Sequence, residues 1–66
     1  EDFSTYINSL RIHYVNNLLK DDVKYRQYKI SYLAEISGFS SHSKFAAVFK
    51  KVNGISPSEF IAGLEN

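Results

Sequence analysis

GFSSHSKFAAVFKKVNGISPSEF, residues 38–60, contains two helix starts and two glycine stops. Gly38 suits the end of a helix, because glycine takes a left-handed conformation without steric cost. Phe39 then drops toward the core. Ser40 and Ser41 are candidate caps for the next helix, and Ser41 is favoured. In the helix expected over about 42–52, Phe45, Val48, Phe49 and Val52 fall at i, i+3, i+4 and i+7 and form one narrow apolar stripe. Ser43, Ala46, Ala47 and Lys50 lie near the opposite side, with His42 in the first turn. Small side chains on an open face let a helix backbone come close to base edges. Serine can donate or accept there, and alanine suits a thymine methyl. This helix alone reads equally well as an amphipathic helix with an ordinary solvent face. Beyond it, Gly54 marks a stop. Ser56-Pro57-Ser58-Glu59 is a strong helix start, with Ser as N-cap, Pro at the first position and Glu able to reach back. Phe60, Ile61 and Leu64 carry that last helix, 57–64, into the core.

Working back toward the N-terminus, Ile30, Leu33, Ala34 and Ile36 predict a short helix ending at Gly38. Residues 30–52 then read as a helix-turn-helix of the homeodomain-like kind. Residues 21–29, DDVKYRQYK, lack clear periodicity and read as a linker with room for one helical turn near 22–26. Tyr25, Tyr28 and Tyr32 are expected to pack, since buried ring area stabilises more than one exposed hydroxyl contact. Residues 1–20 form a long linker helix with Asp2 as a plausible N-cap and Lys20 near the negative pole of the dipole. It has two apolar stripes. One is Ile7, Leu10, Tyr14 and Leu18, and the other is Ile12, Val15 and Leu19. Two stripes predict cover on more than one side. The expected class is all-α, in one helical domain spanning 1–66.

Composition limits the alternatives. A chain of 66 residues that is 44% apolar and 23% charged is ordinary globular material with a thin core. No apolar run is long enough to cross a membrane, so no membrane partner is expected. There is no cysteine, which is compatible with a reducing cytoplasm. There is no methionine either, and residue 1 is Glu, so the chain is expected to be part of a longer protein. Net charge is only +1, but residues 20–51 hold seven of the eight bases and carry +4, against −3 for the remainder. A basic middle suits phosphate contact. His13 and His42 have no partner at ligand spacing, the serines lack a base and orienter, and no glycine-rich phosphate loop is present. No metal, no cofactor and no enzymatic activity are expected.

The chain also echoes itself. Tyr6-Ile7-Asn8-Ser9-Leu10 matches Phe60-Ile61-Ala62-Gly63-Leu64 at an offset of 54, which sets Asp2 opposite Ser56. The first helix therefore resembles the helix that follows a helix-turn-helix, and implies an earlier copy of the motif upstream of residue 1.

Taken together, several residues resemble the signature end of AraC/XylS-type transcription regulators. They are Ile30, Leu33-Ala34, Gly38-Phe39-Ser40-Ser41, Ser43, Phe45, Phe49-Lys50-Lys51, Gly54-Ile55-Ser56-Pro57 and Phe60. Tyr6-Ile7, Leu10-Arg11 and Leu18-Leu19 resemble that family's linker helix. The resemblance implies a bacterial, double-stranded-DNA-binding domain of two helix-turn-helix units joined by a long helix. Each recognition helix would enter a major groove on one face of the duplex. An effector-binding or dimerising domain would lie outside this chain. By position, Ser41 would cap near a phosphate, and His42, Ser43, Ala46 and Ala47 would face the groove. Lys50 and Lys51 would hold the backbone. Two departures stand out. Ala47 occupies a position where the family often has Arg, and the stretch between Leu19 and Ile30 is longer than usual. The competing reading is a helical protein-interaction module using the same face, although Ser, Ala and Lys are poor interface anchors.

Overall fold

The computed structural model describes residues 2–66, and every regular element among them is helical. Helix α1 spans Phe3–Asp21, a 3-10 segment spans Val23–Gln27, and α2 (Ile30–Ile36), α3 (His42–Asn53) and α4 (Pro57–Glu65) follow.

Helices α1, α3 and α4 each start where the sequence places a cap, whereas α2 begins after Lys29 with no side-chain cap bond. Asp2 Oδ1 accepts from the Thr5 amide at 2.8 Å. The Ser41 hydroxyl accepts from the Lys44 amide at 3.2 Å. At α4 the capping box is complete: Ser56 Oγ accepts from the Glu59 amide at 3.2 Å, and Glu59 Oε1 accepts from the Ser56 amide at 3.0 Å. The stops are backbone devices. Gly38 and Gly54 have φ of +94° and +83°, a region where a Cβ is strained. At Gly38 an added Cβ would also meet Arg11 Nε at 3.1 Å. Asp22 ends α1 and caps the next segment, its carboxylate accepting from the Lys24 amide at 3.0 Å.

The capping bonds hold the carboxyls of Asp2 and Glu59 below their ordinary values of 3.8 and 4.5, with lesser help from Lys44 and Lys50 respectively. A folded-state value below the unfolded one adds stability above the unfolded value, and that stability is lost as pH falls through the folded one. Thermal midpoints should therefore hold steady down to about pH 5 and then drop. Asp2→Asn/Glu59→Gln should flatten that drop. An unchanged acid limb would count against the caps as its source.

The core is a single cluster of Ile12, Val15 and Leu19 from α1, Leu33 and Ala34 from α2, Phe39 from the turn, and Phe45 and Phe49 from α3. Its aromatic spine runs Phe39–Phe45–Phe49–Phe60, with successive centroids 5.6, 5.6 and 5.3 Å apart. Edge-to-face and tilted rings at this spacing stabilise beyond their buried area. Phe60, Ile61 and Leu64 of α4 close the cluster from one end.

Two expectations from the sequence are modified. Only one stripe of α1 is buried. Ile12, Val15 and Leu19 are fully covered, whereas Leu10 and Tyr14 are 46% and 54% exposed and Ile7 and Leu18 are half-buried. Phe3 and Tyr6 join the open face at 77% and 52%. Periodicity marks both stripes, but three short elements can cover only one side of a 19-residue helix. Of the tyrosines, Tyr25 packs on the core, while Tyr28 and Tyr32 stack edge-on outside it at 36% and 45% exposure.

Arg26 ties the longer connection down. Its Nε donates to the Leu19 carbonyl at 2.7 Å and Nη2 to the Lys20 carbonyl at 3.2 Å, capping the end of α1. Its Nη1 pairs with Glu65 at 3.0 Å at the end of α4. One guanidinium thus joins two helix C-termini, where the dipole favours positive charge.

Candidate nucleic-acid interface

Helix α3 rests on Phe45 and Phe49, both without solvent exposure, and this fixes which side faces out. Ser43, Ala47 and Lys50, at i, i+4 and i+7, run down the centre of the open side, and all three are exposed. Lys44 and Lys51 form one flank, seven residues apart, and both are exposed. His42, exposed, and Ala46, half-buried, form the other flank. Ser41 is exposed at the start, with its hydroxyl accepting from the helix amide. The seven residues singled out in the sequence therefore run along one side of α3, from its cap at Ser41 to Lys50 and Lys51 in the last turn, with His42 and Ala46 at the margin.

Lys44 is exposed on the same helix although the sequence did not single it out. Its relation to Lys51 at i+7 was the available sign. It lines a groove of about 640 Å³ between α1 and α3, together with Ala47, Lys51 and, across from them, Thr5, Asn8 and Ser9. The absence of a long side chain at Ala47 keeps that groove open.

Charge is distributed more selectively than the count over 20–51 implied. Among the described residues the one ion pair is Arg26 with Glu65. Arg26 is thus spent on internal carbonyls and this carboxylate, and its side chain is only 12% exposed. Lys44, Lys50 and Lys51 keep their ammonium groups for solvent or a ligand. Arg11, counted outside the basic middle, lies beside the α2–α3 turn. Its guanidinium carbon stands 5.8 Å from the Phe39 ring centroid, and Nη1 donates to Asn8 at 3.0 Å. No group of three or more His, Cys, Asp or Glu able to hold a metal occurs among the described residues. Among the described residues no helix is long and apolar enough to cross a membrane.

The sequence that builds this short helix, glycine turn and second helix also matches a known family. The profile of a family described as a helix-turn-helix domain matches residues 1–63. The chain belongs to the AraC-type helix-turn-helix family. It is similar to the TCP pilus virulence regulatory protein of Vibrio cholerae serotype O1, at 41% identity over 59 residues, covering 89% of this chain and 20% of that protein. It is also similar to the uncharacterized transcriptional regulatory protein YesN of Bacillus subtilis strain 168, at 38% identity over 61 residues, 91% of this chain and 16% of that one. The chain thus spans a fifth or less of the length of these curated relatives. No solved structure gives a significant match. Membership makes this an all-helical DNA-binding domain of the bacterial transcription-regulator type.

Proposed function

We propose that α3 is the recognition helix of this domain, entering the major groove of double-stranded DNA with its N-terminal half against the base edges. The observation that carries this reading is the open side of α3: a strip of small side chains bordered by lysines, on a helix fixed from behind by two fully buried phenylalanines. His42, Ser43, Ala46 and Ala47 face the bases. Ser41 caps the helix near a phosphate, and Lys44, Lys50 and Lys51 hold the backbone on either side. With Ala47 in place of a long side chain, this helix makes few direct base contacts, and backbone contacts supply most of the affinity. The domain acts as part of a cytoplasmic regulator whose effector or dimerisation domain, if it has one, lies outside these residues. It works through binding and needs no cofactor.

The echo between α1 and α4 supports a second unit upstream. Asp2 and Ser56 cap their helices in the same way, each accepting from the amide three residues on. Phe60, Ile61 and Leu64 cover the core, while their counterparts Tyr6 and Leu10 stand exposed. That leaves the N-terminal half of α1 ready to close an earlier helix-turn-helix. Tyr6 and Leu10 are exposed apolar side chains that could anchor a protein contact, but they sit on α1, so a protein-interaction role for α3 gains nothing from them.

Selection of bound sequences from randomised duplexes tests the reading. Ser43→Ala should shift preference at one base position by roughly fivefold or more and leave affinity for random duplex unchanged. An identical preference would remove α3 from the base-reading role. Titrating the isolated domain beside the intact regulator tests the second unit, because equal affinity would mean that no further contacts are lost.

A further inference from the structure

Asn16 and Asn53 lie 37 positions apart, and their side-chain amides face each other. Asn16 Nδ2 donates to Asn53 Oδ1 at 2.8 Å, and Asn53 Nδ2 donates to Asn16 Oδ1 at 3.0 Å. Asn16 is 7% exposed, on the same side of α1 as the fully buried Ile12, Val15 and Leu19. Asn53 is the last residue of α3, directly before the left-handed Gly54. We propose that this reciprocal amide pair is a positioning device that sets the orientation of the recognition helix on α1, and so contributes to sequence discrimination without touching DNA.

The physical grounds are directional. The core contacts between α1 and α3, among Ile12, Val15, Leu19, Phe45 and Phe49, are apolar, and apolar contact is non-directional, so it sets the angle of α3 less sharply than hydrogen bonds do. Two antiparallel hydrogen bonds between planar amides fix distance, plane and angle at once. If the Asn53 amide leaves, that of Asn16, on the buried side of α1, is stranded away from water. Buried polar pairs of this kind are best attested as devices that fix register, at some cost in stability.

The lever arm makes a small angle matter. Asn53 sits at one end of α3 and the reading residues at the other, about 16 Å away at about 1.5 Å per residue. A swivel of about 10° at the pair moves Ser43 and its neighbours by roughly 3 Å, well outside the tolerance of about 0.5 Å that a recognition site demands. With small side chains at Ala46 and Ala47, α3 has few long residues of its own to correct such a shift. The inference rests on α3 being the base-reading helix.

The test compares three variants of the intact regulator, using a duplex selected by the wild type and a random duplex of equal length. In Asn16→Leu/Asn53→Leu both polar groups are replaced together, so no amide is stranded. Asn53→Gln keeps an amide at the end of α3 but lengthens it by one methylene, which preserves the hydrogen-bonding chemistry and alters the geometry. Ser43→Ala reports on the base-reading role itself. The expected result is cooperative unfolding for both pair variants, unchanged affinity for random duplex, and a fall of about tenfold in preference for the selected duplex. Should the double variant fail to fold, Asn53→Gln alone carries the measurement, at a half-buried site at the end of a helix. Wild-type preference in either folded pair variant overturns the proposal. If Ser43→Ala still alters preference, the recognition-helix reading survives that failure. If Ser43→Ala is also silent, the reading itself has failed.

Discussion

Phe49→Ala should unfold the domain or leave it on the edge of unfolding at room temperature. Phe49 has no solvent exposure, and its ring lies 5.6 Å from Phe45 and 5.3 Å from Phe60. Removing a buried phenylalanine costs about 3–5 kcal/mol, the lost transfer energy plus the cavity left behind. A domain of this length has a total stability of only about 3–10 kcal/mol. The ring is also the joint between α3 and α4, so neighbours are poorly placed to collapse into the hole. Circular dichroism across a urea series checks this. A midpoint within about 0.3 M of wild type would show that the aromatic spine is not what holds the helices together, since urea slopes for small domains run from about 1 to 3 kcal/mol per molar. Val48→Ala, at a half-buried position on the same helix, should cost far less.

The second large effect is on binding. Replacing Lys44, Lys50 and Lys51 together by alanine in the intact regulator should reduce affinity for every duplex by a similar factor. It should also lower the slope of log affinity against log salt by about 2.7, at about 0.9 per phosphate contact. Each single change should take about a third of that. The three side chains are exposed and form no ion pair among the described residues, so little stability is lost with them. Arg26→Ala is the contrasting control. Its guanidinium is bonded to the ends of α1 and α4, so its loss should lower the unfolding midpoint and leave the salt slope unchanged. An unchanged slope in the triple variant would sink the proposed backbone contact. A steep slope that persists with reduced affinity only for the selected duplex would move those lysines to base reading.

The contrast between Arg26 and Lys44 shows where sequence reasoning reaches its limit. Both are bases in the middle of the chain, and a charge count treats them alike. Arg26 is consumed by carbonyls seven and six residues behind it and by Glu65, 39 residues ahead. Lys44 stands exposed beside the open side of α3 and forms no ion pair among the described residues. Nothing local separates them, because what each side chain meets depends on how α1 and α4 come to lie against the 3-10 segment. The two stripes of α1 give the same lesson for apolar residues. Spacing marks Ile12, Val15 and Leu19 as well as Leu10 and Tyr14, but burial requires something to pack against, and only one side of α1 has it.

Local structure was determined by the sequence on its own. Asp2, Ser41 and Ser56 each cap a helix because a short side-chain oxygen reaches the amide three residues on, and Gly38 and Gly54 end helices because they lack a Cβ. These are interactions within a few residues, so composition and spacing encode them directly. The apolar stripe of α3 and its open small-residue side follow in the same way from helical periodicity. Only the tertiary structure decided which stripe of α1 is covered, which cations remain free, and that Asn16 meets Asn53. Those outcomes join residues tens of positions apart, and their energies depend on relative placements of helices that no local pattern records.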